Sequence, residues 1–281
     1  MEYDIRRLQE VQLELLDELA RVCGKYHIRF YLAAGSCIGA VRHQGFIPWD
    51  DDIDTFMYAE DADRLFEHAD DFGEGFFLQN ADTDKGYGYS IARLRKRGTA
   101  CLEKDELNDP CHHGIFLDIY LLYYYPASRI KRALMVGQGI CRNILLRNKE
   151  PQNHGRLIGL LGKMILLPYR NNEKRRKKVK ALTAKIRQYR NTDDLVILYG
   201  MDISLKRIIS YKTAWFQAPQ MLPFEGRTVP VATDVDAYLT CRYGADYMQL
   251  PPPEKRHSYH EYAYISFDHE YEGSRKSEKK G

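Results

Sequence analysis

Tyr31 to Tyr58, YLAAGSCIGAVRHQGFIPWDDDIDTFMY, holds the densest run of residues in the chain with no easy packing explanation. The apolar residues from Ile28 to Ala34 predict a strand ending at Gly35-Ser36. Small residues follow at Cys37, Gly39 and Ala40, then Arg42, His43 and a Pro48-Trp49 turn. Asp50, Asp51, Asp52 and Asp54 come next, and carboxylates this close repel one another unless a cation sits among them. In a strand, Asp52 and Asp54 would share one face because they flank Ile53.

Three readings of the acidic run compete. The plain one is a solvated turn. A calcium loop would use Asp50, Asp52, Asp54 and Asp61, but Thr55 stands where the sharp turn wants Gly, and the last ligand position lacks Glu. The third is a metal site for phosphoryl chemistry. Gly35 and Ser36 favour it, since small residues opening a helix let backbone N–H groups approach a phosphate.

Working outward, Ile5, Leu8, Leu15, Leu19 and Val22 form one stripe of a helix within Asp4 to Lys25 that stops near Gly24. Ala59 to Asp71 reads as a helix and Phe76 to Gln79 as a strand. Tyr87 to Leu94 alternates, with Tyr87, Tyr89, Ile91 and Arg93 on one side; Arg93 either stacks on a ring or holds a substrate phosphate. Asp118 interrupts the apolar strand Ile115 to Tyr120, a costly position unless the carboxylate is paired or binds a metal. Three helices follow, Ile130 to Leu146, Leu157 to Leu167 and Glu173 to Arg190. Thr233 to Tyr243 forms another, with Thr233 as its cap and Gly244 as its stop. His257, Tyr259 and His260 read as surface residues, and the tail from Gly273 as frayed.

The 281 residues, 44% hydrophobic, suffice for one large domain or a domain with an insertion. No apolar run reaches the roughly 18 residues a membrane span needs. The opening MEYDIRRLQE has no apolar signal core, which points to a cytoplasmic protein. The six cysteines are scattered without a CxxC pair, so reduced thiols are expected rather than a zinc site or disulfides. Charge is unevenly placed: Arg129 to Arg190 holds 18 Lys and Arg against two acids, a net +16, leaving −13 for the remainder. Such a segment either folds back on an acidic surface or meets an anionic partner. The nearly all-apolar stretch from Leu157 to Leu167 beside it reads either as a buried helix followed by a solvated basic one, or as a face resting on an anionic membrane or a phosphate-rich acceptor; among anionic partners it favours peripheral contact with a membrane. Nucleic acid is not expected, since no recognition module accompanies the charge.

Gly35-Ser36, then GAVRHQGFIPWDDDID from Gly39, resembles the signature of the LicD family, phosphocholine transferases with a nucleotidyltransferase-like fold that are similar to fukutin-related proteins. Further matches fall at Tyr87 to Thr99, His113 to Tyr120 and Phe224 to Leu250. The resemblance implies an α/β (α+β) architecture, a mixed sheet flanked by helices, with the basic helices as an insertion. On that plan 1–127 form the catalytic core, 128–194 the insertion, 195–272 a part completing the catalytic domain, and 273–281 a disordered tail.

It further implies that Asp52, Asp54 and Asp118 are catalytic and hold Mg²⁺ (or Mn²⁺), Asp118 matching an acidic strand position beside the DxD pair. Gly35 and Ser36 would cradle a phosphate, with Arg42, His43 and Arg93 neutralising its charge. The implied reaction moves a phospho-alcohol, phosphocholine first among them, from a CDP-linked donor such as CDP-choline to a sugar hydroxyl of a cell-surface glycan, whose acceptor can be lipid-linked at the inner membrane face. Alternatives are a nucleotidyltransferase releasing pyrophosphate and a non-catalytic nucleotide-binding module of the same fold.

Overall fold

A computed structural model describes residues 3–148, 156–190, 195–199, 209–258 and 260–273. Residues 149–155 and 191–194 of the expected insertion, residues 200–208 and Tyr259 of the part expected to complete the catalytic domain, and residues 274–281 of the tail lie outside them.

Helix α1 (Ile5–Tyr26) starts where Asp4 accepts the Arg7 N–H at 3.0 Å and stops at His27 in the left-handed region. Its predicted stripe is real: Leu8, Leu15, Leu19 and Val22 are fully buried, each such burial contributing about 1.5–3 kcal/mol. The strand expected from Ile28 shortens to β1 (Tyr31–Leu32). Ala33 caps α2 (Ala34–His43) and Ala34 takes a positive φ of 47°, so the chain turns into a helix before the apolar run is spent.

Strand β2 (Asp54–Tyr58) is buried throughout and leads into α3 (Ala59–Glu67); a separate 3₁₀ turn, Ala69–Asp71, replaces the single helix expected there. Then come β3 (Phe76–Gln79), β4 (Ala92–Lys96), β5 (Ala100–Glu103) and β6 (Phe116–Tyr124). Tyr87 and Tyr89 thus precede β4 rather than belonging to it. Helices α4 (Arg129–Arg147), α5 (Arg156–Leu166) and α6 (Asn172–Arg187) follow, with α4 packed on α6. The chain continues through β7 (Leu195–Tyr199), β8 (Ser210–Lys212), the hairpin β9 (Gln220–Phe224) and β10 (Arg227–Val231), α7 (Val235–Tyr243) and β11 (Tyr262–Ser266). Asp234, not Thr233, caps α7, accepting the Ala237 N–H at 3.1 Å; Gly244 ends it.

The fold is mixed α and β. The main sheet runs β1-β2-β6-β4-β3; β7 joins the later half of β6 and carries β8. β2 and β6 are parallel, and the other pairings among the described residues are antiparallel. Behind β1 and β2 lies an aromatic cluster: Phe56 meets Phe216 at 5.0 Å and Tyr238 at 5.6 Å between ring centroids, edge to face. Phe216 and Tyr238 come from late in the chain, so the C-terminal residues complete the core under the acidic run.

Candidate functional site

The register of the sheet builds the site. Asp54 on β2 stands opposite Asp118 on β6, and Asp118 stands opposite Arg93 on β4, so the three side chains form one row across three strands. Arg93 Nε donates to Asp118 Oδ1 at 2.7 Å, and its Nη1 reaches Glu106 at 3.0 Å. Its guanidinium also lies 3.9 Å from the Phe116 ring centroid and 5.0 Å from that of Tyr89. The buried guanidinium keeps its proton well above the usual range: burial opposes this, but Asp118 and Glu106 more than compensate. Glu106 is pulled down to about 2 against its own burial by Arg93 and Arg95.

Asp52 precedes β2 instead of lying in it. Its neighbours divide by partner. Asp51, 1% exposed, accepts Tyr3 Oη at 2.5 Å, His260 Nδ1 at 2.9 Å and the Ser258 hydroxyl. These hydrogen bonds hold its carboxyl below the usual range although burial pushes the other way. His260 Nε2 faces Asp52 Oδ2 at 3.9 Å, and the imidazole is raised to about 10 against its burial by Asp51 and then Asp52. His260 is therefore not the surface residue its spacing suggested. The Gln9 and Gln12 amides of α1 fix the carbonyls of Asp50 and Asp51, each at 2.8 Å.

Asp50, Asp52 and Asp54 lack such support. Burial followed by the charges of Asp52 and Asp51 raises Asp50 to about 8. Burial likewise lifts Asp52 to about 6, with His260 opposing and Asp51 and Asp118 adding to the rise. Asp54 lies well above the usual range through burial, Asp52, Asp118 and Asp50 in that order. Its Oδ1 is buried with no hydrogen-bond partner among the described residues. A buried, unpartnered carboxylate oxygen amid like charges suits a cation. Asp118 Oδ2 faces only Tyr120 Oη, at 3.4 Å, among the described residues, and Asp51, Asp52 and His260 offer ligand atoms all within 4.8 Å of one another.

The other predicted residues already have protein partners. An added Cβ on Gly35 would lie 2.6 Å from Asp50 Oδ2, so the glycine makes room for that carboxylate. Ser36 Oγ accepts the Asp54 N–H at 2.9 Å and pins the start of β2. Arg42 and His43 sit at the far end of α2, roughly 9 Å along its axis from Ser36. Arg42 donates to the carbonyls of Tyr247 and Gln249 at 3.1 and 3.0 Å and to His43 Nε2 at 3.0 Å. Glu106, Tyr3 and Ser258 carry no signal in the sequence, and His260 reads there only as a surface residue, since each is tied to the site only through sheet pairing or chain return. All six cysteines are free thiols.

Residues 27–124 match the family model described as LicD/FKTN/FKRP, nucleotidyltransferase domain. Over 93% of its length the chain is 28% identical to the lipopolysaccharide cholinephosphotransferase LicD of Haemophilus influenzae, covering 98% of that protein. It is 40% identical over 52 residues to an uncharacterized protein of Rickettsia prowazekii, 18% of this chain and 20% of that one. A similar match of 40% over 48 residues, 17% of this chain and 16% of the relative, links it to an uncharacterized protein of Rickettsia typhi.

Proposed function

We propose, for a chain that carries the LicD-family nucleotidyltransferase domain over residues 27–124, that it is a transferase moving phosphocholine from a CDP-linked donor to a sugar hydroxyl of a cell-surface glycan. The observation that carries the reading is the buried Asp54 Oδ1, without a hydrogen-bond partner among the described residues, on a residue in register with Asp118. End-to-end similarity to a lipopolysaccharide cholinephosphotransferase supplies the chemistry.

Asp52, Asp54 and Asp118 would hold Mg²⁺ or Mn²⁺. Such an ion, when bound, would supply positive charge to offset that of the donor phosphates. The chain's own residues set the stage: Arg93 holds Asp118 by Oδ1 and leaves Oδ2 with only the long Tyr120 contact among the described residues, Ser36 fixes the Asp54 backbone, and Asp51 aims His260 at Asp52. The acceptor hydroxyl oxygen attacks the phosphorus that bears the alcohol: a P–O bond to it forms as the P–O bond to the CMP oxygen breaks, the hydroxyl proton passes to solvent, and CMP leaves.

CMP release from CDP-choline, CDP-ribitol and CDP-glycerol, assayed in parallel with and without Mg²⁺, tests this. CMP from CDP-choline, lost by on the order of a hundredfold or more in Asp52→Asn and Asp54→Asn, is the expected outcome. Undiminished turnover in either variant removes the catalytic assignment, and pyrophosphate released from CTP would point to nucleotidyl transfer instead.

The enzyme also docks on anionic membrane in this reading. Leu160, Leu161, Met164 and Leu167 on and just after α5, with Ile130 and Leu134 of α4, are all at least half exposed. Lys163 and Arg170 flank them. No helix of the described residues is long and apolar enough to cross a membrane.

A further inference from the structure

A cleft of about 1130 Å³ opens between the basic helices and the sheet, outside the carboxylate row. α4 and α6 form one wall, α3 and the stretch before β4 the other, and Leu121 and Tyr123 of β6 lie between them. Its acids are largely spent: Asp63 pairs with Arg187, Asp82 with Lys180 at 3.5 Å and Arg176 at 3.8 Å, and Glu173 with Lys177 at 2.6 Å. Three of its cations are not. Lys85, Arg147 and Arg175 have no carboxylate partner among the described residues, and half-buried Arg175 bonds only to the neutral Asn172 amide.

Two further features point to a ligand. Tyr87 lines the cleft at 2% exposure, and its buried hydroxyl has no hydrogen-bond partner among the described residues. Tyr89 is flanked by two guanidiniums, Arg147 at 4.8 Å and Arg93 at 5.0 Å from its centroid, which joins the cleft to the row, since Arg93 also grips Asp118.

We infer that this cleft binds the acceptor, and that the acceptor is a phosphate-bearing sugar chain. Uncompensated guanidiniums recognise phosphate bidentately, and the tyrosine rings suit the apolar faces of sugars. The same charge repels a quaternary ammonium, so the choline end of a donor does not belong here although rings are present. The volume exceeds what one phosphate fills and accommodates several sugar units.

This inference rests on the transferase reading, so its test includes binding without turnover. Glucose 6-phosphate, glucose, inorganic phosphate and CDP-choline are titrated separately into wild type, Arg147→Gln, Arg175→Gln and Tyr87→Phe, with melting temperature reporting folding. We expect wild type to bind glucose 6-phosphate more tightly than glucose or phosphate. Each Arg variant should weaken that binding about tenfold, Tyr87→Phe less, and CDP-choline binding should be unchanged. In turnover, the Arg variants raise the acceptor KM and spare kcat. No saturable glucose 6-phosphate binding by wild type, or unaltered binding in folded Arg variants, overturns the inference. Loss of CDP-choline binding instead would place the donor diphosphate in the cleft and overturn it equally. Sugar phosphate binding with no CMP release would count against the transferase reading alone.

Discussion

At the residue scale, adjacent aspartates have opposite fates because of what each one faces. Asp51 has three donors and stays charged, whereas Asp50, Asp52 and Asp54 are pushed upward by burial and by one another. A carboxyl whose folded pKa is raised binds protons more readily folded than unfolded, so stability falls as pH climbs from the unfolded value near 4 toward about 8 for Asp50. His260 acts in the same direction. Its folded pKa of about 10 lies above the ordinary 6.5, so its contribution is complete below 6.5 and lost on the way to 10. The metal-free protein should therefore melt at progressively lower temperature from pH 5 to 8 in a thermal scan, and millimolar Mn²⁺ should lift the pH 8 value. Asp54→Asn should flatten the profile. A wild-type melting temperature that is constant or rises over this interval would contradict the electrostatic account.

At the scale of the element, α2 and the return from it depend on one close approach. A Cβ on Gly39 would stand 2.4 Å from the Gly45 carbonyl oxygen, a backbone atom that cannot step aside. Gly39→Ala should destabilise by about 1–3 kcal/mol in urea unfolding and disturb the chain leading to Asp50. Gly24 in α1 is the control: nothing lies within 4 Å of its added Cβ. Gly24→Ala should stabilise by about 0.5–1 kcal/mol. Equal effects of the two would mean that the loop is not held against the helix. The element-level misreadings have a common cause. Alternating tyrosines before β4 mimic a strand, but they pack against the helical segment and Arg93, an arrangement that period-two spacing cannot report.

For the whole molecule, the lopsided charge resolves in two directions at once. Arg187, Lys180, Arg176 and Arg190 of the basic segment turn back to Asp63, Asp82 and Glu60, while Leu160, Leu161 and Met164 of α5 are at least half exposed. Exposed pairs of that kind contribute little individually, so the segment keeps charge for an anionic surface. Wild type should sediment with anionic vesicles at low salt and be released by high salt, each Lys or Arg near the surface adding about 1 kcal/mol. Leu161→Gln with Met164→Gln should weaken the association without altering CMP release. Wild type remaining in the supernatant at low salt would end the membrane proposal.

The sequence by itself determined the elements whose pattern is local. The α1 stripe, the full span of β3 and the placing of Asp54 and Asp118 on strands follow from periodicity and from the conspicuousness of acids in apolar runs. Tertiary structure alone decided which charges meet. Pairing of β11 with β5, Tyr262 opposite Glu103, carries His260 across 209 residues to Asp51. The antiparallel register of β4 and β6 gives Asp118 to Arg93, and Glu106 joins them from a loop. Spacing along the chain encodes faces of single elements, whereas a contact between distant residues depends on sheet register and on how the chain returns.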